Sequence, residues 1–534
     1  MDLVAAVLTT ADAAPDALAI GELTYGELAR RVRSTAAGLV AAGLEPGDRV
    51  LFSVRPEAAG VVLALGIVAA GGTVVFADPG TGPELFAARL ALAGPRWAAA
   101  ESLLYAASRY GRGVARRRGL LLPSYRELPV RHVYAGRWLP GVPKGALSAR
   151  RLAAGGAGGA VRGGGEADPA LGGAAGGAVS GGSGAPTGPG GAVPAGGSGL
   201  GDQEALIVFT SGSTAAPKAV VHTRASLGSG LALLATRCRL GPGDTVHTDQ
   251  LMLGLPALVA GAHWTMPPYG FAPAADPVRY GAGLAGATHA FCVPADLAVL
   301  LDAGVRAPGL RHLLIGGAPV LPPLLRRARE AFPDTEILAV YGMTEILPIA
   351  IATAEEKLAH TGPGDLVGAP LPKVRVAVAE DGELVVAGPN LCRGYLGQPR
   401  LEAHATGDLA TLDDGRLVLL GRKKDMIIRG KTNVYPGLYE PTINTFPGVR
   451  EAALVGVPDE IGDERIVLAV VAAGSDSPVG GELVARLTAS LPRLIDASAL
   501  PDEIVLVDAI PTVGRTRKPD REALRRLVGG VGCE

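Results

Sequence analysis

The chain has 534 residues, 48% of them apolar, enough for two to four domains with sizeable cores. Its 50 basic and 51 acidic residues leave a net charge of −1, which offers no global attraction to nucleic acid or to an anionic membrane. Cys238, Cys292, Cys392 and Cys533 lie far apart with no Cys-x-x-Cys pair, which argues against a disulfide framework, a zinc site or a thioredoxin-like centre. Reduced cytosol is the expected compartment.

The chain begins Met-Asp without a basic stretch, so it does not read as a signal peptide. Residues 23–43 carry a helical apolar pattern and lead into a strand, DRVLFSV. Residues 58–77 hold no charge over twenty positions, the length of a membrane span. Gly71-Gly72 interrupts them, so they read as a buried helix, a stop and a buried strand. Residues 155–201 contain 21 of the 77 glycines, mixed with Ala, Pro and Ser, without aromatic residues or a Gly-X-Y period. Such a stretch cannot bury enough apolar surface to offset its ordering entropy, and it reads as a disordered insert.

Beyond it, ALIVFTSGS is a strand, 225–236 a helix, RHLLIGGAP strand-like and LPPLLRRAREAF helical, while EILAVYGMTE is a strand running into a loop. This alternation predicts α/β layers with largely parallel strands. From about residue 372 the character changes. KVRVAVAEDGELVVAG is two strands around an Asp-Gly turn, and RLVLLGRKKDMIIRG continues the β pattern. The last hundred residues read as a small separate α+β domain, with the cut near 421–425.

The strand Leu206–Phe209 runs into Thr210-Ser211-Gly212-Ser213-Thr214 and then Pro217-Lys218. Four hydroxyls, a glycine and a nearby ammonium suit a polyphosphate. The Ser/Thr cluster precedes the lysine, so this is not a GxxxxGK[ST] loop. TSGSTAAPKAV resembles the phosphate loop of the ANL adenylating superfamily, which includes acyl-CoA synthetases, peptide-synthetase adenylation domains and luciferases. Further signatures follow in order: Gly316-Gly317-Ala318-Pro319; Tyr341-Gly342-Met343-Thr344-Glu345; Thr406-Gly407-Asp408; Gly421-Arg422-Lys423-Lys424-Asp425; Asn433-Val434-Tyr435-Pro436 with Glu440; and Lys518 in RKPDREAL.

The resemblance implies an α/β fold: a large N-terminal adenylating domain of layered subdomains, residues 1–422, and a small mobile α+β domain, residues 423–534. It implies an ATP-dependent acid ligase that forms an acyl adenylate and passes the acyl group to CoA, with Mg2+ as cofactor. By the same resemblance, Thr210, Ser211, Gly212, Ser213, Thr214 and Lys218 hold the β- and γ-phosphates. Gly317, Ala318 and Pro319 lie beside adenine and Tyr341 flanks it, Gly342 and Met343 join them in binding ATP, and Thr344 contacts the α-phosphate. Glu345 helps hold Mg2+, Asp408 and Arg422 hold the ribose, and Lys518 bridges the acid and the α-phosphate. Lys218, Thr344, Glu345 and Lys518 are then the catalytic set, and Lys424 is the hinge. Arg515 is a rival for the role of Lys518. His247, Asp249, Met252 and Leu253, with Leu255, His289 and Phe291, are expected near the acyl pocket.

Ala215 and Ala219 replace common glycines of the family pattern, and Arg429-Gly430-Lys431 departs from it near the expected CoA tunnel. The acceptor is therefore open: CoA, a carrier protein or an amine, with a small oxyacid such as nitrite as another substrate. A non-catalytic nucleotide-binding protein is the reading of a different class. The partners expected are a small-molecule acid and CoA, with no nucleic acid and no membrane span, in a monomer or dimer.

Overall fold

The computed structural model describes residues 1–77, 83–110, 123–155, 199–210, 217–268, 273, 275–429, 432–458, 464–473, 480–513 and 518–529. The expected insert falls almost wholly outside the described residues, as do Ser211, Gly212, Ser213, Thr214, Lys431 and Arg515.

Two eight-stranded sheets carry the large domain among the described residues. The first has a parallel centre. Thr73–Phe76 and Trp97–Glu101 flank Arg49–Ser53, and Glu204–Thr210 and Arg131–Ala135 lie outside them. These strands are apolar on both faces, as a sheet covered by helices on both sides must be. Lys218–Thr223 then pairs antiparallel with Glu204–Thr210, so the phosphate-loop sequence closes a hairpin.

The charge-free stretch resolves as the helix Ala58–Ala69, followed by Gly71 at φ +90° and the strand Thr73–Phe76. The helix is buried because other parts of the chain cover it. Among the described residues no helix is long and apolar enough to cross a membrane.

In the second sheet, Thr245–His247, His289–Cys292, His312–Gly316 and Glu336–Met343 run parallel. Ile346–Thr353 returns antiparallel to Glu336–Met343, with Met343 paired to Ile346. The expected loop after YGMTE is therefore a tight turn of Thr344 and Glu345 alone. The β-branched alternation of ILPIAIAT starts a new strand at once.

The helix Arg224–Arg237 leaves the first sheet directly after Lys218–Thr223. Thr223 caps it, and Thr223 and Ser226 exchange side-chain bonds to each other's backbone N–H. Gly230 lets this helix approach the backbone of Leu347, because a Cβ there would lie 2.4 Å from the Leu347 carbonyl oxygen. Any side chain at 230 would push the two sheets apart, an overpacking that costs about 1–3 kcal/mol.

A five-stranded antiparallel sheet spans residues 365–422. Beyond it lies the smaller region, with the strands Val449–Pro458, Glu464–Ala472 and Glu503–Leu506 and its own buried cluster around Leu454, Leu468 and Leu487.

Candidate active site

Strand ends and turns from all three sheets meet at one cavity of about 1040 Å³. Thr210 and Lys218 are the last registered pair of their hairpin, so they stand at the two feet of the phosphate loop and both line the cavity. The Lys218 ammonium lies 5.5 Å from the ring centre of Tyr395. The Tyr395 hydroxyl donates to Glu345 Oε1 at 2.9 Å. Glu345 is 9% exposed and lines the cavity beside Thr344. A carboxylate here, with one oxygen held by a phenol, suits a hard divalent cation.

Further along, Gly317, Gly342, Met343, Thr406, Gly407 and Arg422 line the wall. Ala318 and Pro319 follow Gly317 in the loop after His312–Gly316. Asp408 and Arg422 are register partners on adjacent strands, with Arg422 Nε 2.6 Å from Asp408 Oδ1. The Tyr341 hydroxyl donates to Asp408 Oδ2 at 2.7 Å. Burial, and then the charge of Asp408, push the Tyr341 phenol far up, so it stays a donor. A carboxylate has about four acceptor sites, so Asp408 can also accept from sugar hydroxyls.

Lys423 donates to Asp381 at 2.6 Å and Glu383 at 2.9 Å. Its ammonium holds Glu383 below the usual carboxylate range. Lys424, the next residue, lines the cavity and is exposed. Glu440 braces the small region instead. It accepts two bonds from Arg521 at 2.7 Å and one from the Leu454 backbone, and Asp425 completes the cluster. Lys518 lies close to Arg521 in chain order, in a two-residue strand paired with Thr512–Val513.

Much of the remaining lining is apolar. Leu227, Leu231 and Leu234 of the Arg224–Arg237 helix line the cavity, as do Met252, Val340 and Leu347. Of the residues expected at the acyl pocket, Met252 is in this wall. His247, Asp249 and Leu253 are not among the lining residues. His247 turns away, hydrogen-bonded to Thr265 Oγ1 at 2.9 Å and packed against Tyr280, and burial pushes its imidazole down to about 4. Asp249 accepts from the Gln250 side chain, and Leu253 is fully buried in the core. His289 begins the central strand His289–Cys292 and stacks on His312, the first residue of the neighbouring strand. His222, Tyr395, Glu383 and His404 line the cavity without having been singled out in the sequence. His222 sits in the apolar strand KAVVHT, and only the register shows which way it points.

The sequence profile of AMP-binding enzymes matches residues 8–134 and 167–396, and that of the AMP-binding enzyme C-terminal domain matches 439–518. The chain belongs to the AMP-binding enzyme family. Within this family it is 34% identical over 241 residues to a feruloyl-CoA synthase of Amycolatopsis, an alignment covering 41% of this chain and 46% of that one. It thus spans about half the length of the first curated relatives it matches. An olefin beta-lactone synthetase of Stenotrophomonas maltophilia is 28% identical over 490 residues, 82% of this chain and 78% of the relative. Among solved structures, an amide bond synthetase of Marinactinospora thermotolerans superposes with a TM-score of 0.73 at 24% identity, covering 98% of this chain and 99% of the other. That likeness carries the fold of this AMP-binding enzyme, large domain and small domain together.

Proposed function

We propose that this AMP-binding enzyme activates a carboxylic acid with an uncharged, apolar tail as acyl-AMP, releasing pyrophosphate, and then transfers the acyl group to CoA. The observation that carries this reading is the polarity of the cavity. Its charged lining side chains, Lys218, Glu345, Glu383, Arg422, Lys423 and Lys424, belong to the nucleotide motifs or to their neighbours, and much of the remaining lining is leucine, methionine and valine. An acid seated there presents its carboxylate to the α-phosphate and buries its tail.

In the first step a carboxylate oxygen attacks the α-phosphorus, and the bond from that phosphorus to the α,β-bridging oxygen breaks, so pyrophosphate leaves with the electron pair. The attacking group is already ionised, so no proton moves. Two anions must approach each other, which requires preorganised positive charge and donors. In this reading Lys218 and Thr210 stand beside the leaving pyrophosphate, the sequence Ser211–Thr214 would supply further donors to it, Thr344 donates to the α-phosphate, and Lys518 would neutralise the acid and phosphate together. Asp408, Arg422 and Tyr341 hold the ribose and adenine in line. A Mg2+ ion held by Glu345 would supply further charge compensation at the phosphates. In the second step the thiol sulfur attacks the acyl carbon, AMP leaves with the C–O bond pair, and the thiol proton passes to solvent. Rotation of the small domain about Lys424 would separate the two steps.

A second reading keeps the first step and changes the acceptor. The relative aligned over 490 residues is named for β-lactone synthesis and the solved structure for amide synthesis, and neither name includes CoA. Pyrophosphate release measured on a panel of aromatic, fatty, amino and dicarboxylic acids, with and without CoA, separates the readings. Release with apolar acids and thioester formation with CoA are expected. Adenylate without thioester moves the assignment to another acceptor, and no release with any acid leaves a non-catalytic nucleotide-binding protein.

A further inference from the structure

The geometry points to His222 as a positioning residue that sets the Thr344–Glu345 turn against the phosphate loop. The inference rests on the adenylation reading. His222 belongs to the strand that begins with Lys218, and it is 7% exposed. Its Nε2 lies 2.7 Å from the backbone carbonyl oxygen of Thr344, a residue 122 positions away on another sheet. A carbonyl only accepts, so Nε2 carries the hydrogen and Nδ1 is the acceptor of the neutral ring. Nδ1 lies 3.2 Å from Ser226 Oγ, whose one hydrogen is shared between Nδ1 and the Thr223 carbonyl oxygen, also at 3.2 Å, while Oγ accepts the Thr223 N–H at 3.0 Å. The capping residues of the Arg224–Arg237 helix therefore continue through one imidazole into the turn. Burial lowers the affinity of this ring for a second proton, which keeps Nδ1 free to accept.

The next carbonyl is held from the other side. The Cys392 N–H donates to the Glu345 carbonyl oxygen at 2.7 Å, and Tyr395 holds the Glu345 carboxylate. With both carbonyls fixed, the Thr344 and Glu345 side chains are presented to the cavity in one orientation. The Met343–Ile346 pair closes the turn, these two bonds add a hold from outside the hairpin, and a displacement near 1 Å costs about 10²-fold in rate. Lys218 and Thr344 face different parts of one triphosphate, so the bar between them sets their spacing. His222 touches neither reacting atom.

The test compares His222→Leu, which removes the donor, with His222→Gln, whose amide N–H reaches where Nε2 did, and His222→Asn, which falls short. In the ligand-free protein, deuterium uptake in 336–353 should rise for Leu and Asn and stay near wild type for Gln. In acid-dependent pyrophosphate exchange, kcat should fall about 10- to 100-fold for Leu and Asn. KM for ATP should change less than threefold, because Asp408, Tyr341 and Arg422 are untouched. Gln should recover most of kcat. Should Leu fail to fold, the Gln and Asn pair still decides. Equal uptake in all variants, or Gln as damaged as Asn, reduces His222 to a core residue. A wild type without exchange for any acid overturns the adenylation reading instead, while deuterium uptake still decides the role of His222.

Discussion

The charged and the apolar lining of the cavity are built in opposite ways. The charged groups stand at strand ends in registered pairs, Thr210 with Lys218 and Asp408 with Arg422, and the buried carboxylates are held by named donors. The apolar lining is Leu227, Leu231 and Leu234 of one helix with Met252, Val340 and Leu347 from other elements. Buried charge demands particular partners at particular distances. Apolar contact is non-directional, and many side chains of similar volume satisfy it. The first set is therefore fixed by residue type, and the second only by shape.

The sharpest way to break this contrast is to remove a cation. Lys518→Ala should lower adenylate formation by about 10²-fold or more, as loss of a transition-state charge contact does. Acyl transfer from a supplied acyl adenylate should fall far less, which stopped-flow or quench measurement of the two half-reactions decides. Equal losses would make Lys518 structural, and no loss would bring Arg515 forward. Next in size, Asp408→Ala should raise KM for ATP by roughly 10- to 100-fold, the worth of one or two hydrogen bonds to a charged group. Nucleotide titration by calorimetry checks it, with the KM of the acid as the control that should hardly move.

In the apolar lining, Leu231→Glu should cut kcat/KM for an apolar acid by about 10-fold or more while leaving KM for ATP near wild type. Leu231→Met should change little, since volume is conserved. An Asp408→Ala effect on the acid as large as that on ATP would contradict the division. An effect on stability rather than on activity is expected far from the cavity. His289 and His312 stack at 4.7 Å between ring centres at the first residues of their strands, with Glu336 3.0 Å from His312 Nε2, Asp244 beside His289 and Arg311 paired to Asp244. Burial, and then its neighbour His289, push His312 down to about 4. The unfolded chain takes up that proton near 6.5, so stability is full above 6.5 and falls as pH drops toward 4. Urea unfolding should register a loss of roughly 2 kcal/mol across that window, flattened in His312→Gln.

How much was legible follows the same line. The nucleotide motifs could be found because hydroxyl, glycine, carboxylate and lysine at set spacings are rare in combination. The helix at 58–69 was legible from its missing charges and the Gly-Gly stop. The Thr344–Glu345 turn was not, because whether a strand ends in a loop or folds back depends on what pairs with it. His247 and Leu253 illustrate the limit for the segment expected to line an acyl pocket. Both lie in the expected segment, but one closes a strand against Thr265 and the other faces the core. His222 was hidden for the converse reason: in sequence it is one more residue of a buried strand, and its partner is 122 positions away.

The grip of Asp381 and Glu383 on Lys423 has a mechanical consequence. Two carboxylates from the five-stranded sheet hold this ammonium at 2.6 and 2.9 Å. The peptide before Lys424 is thus tethered, and a change of torsion cannot be shared with the residues ahead of it. Any swing of the small region would be concentrated at one bond, as a door hangs from a single pin. Its axis, not its amplitude, would be what the sequence specifies. Because Lys423 and Asp381 are about half exposed, dissolved salt weakens their part of the pin, while Glu383 is more sheltered. The wobble of that axis, and with it the tightness of coupling between the two half-reactions, would then vary with ionic strength while the chemistry inside the cavity stays the same.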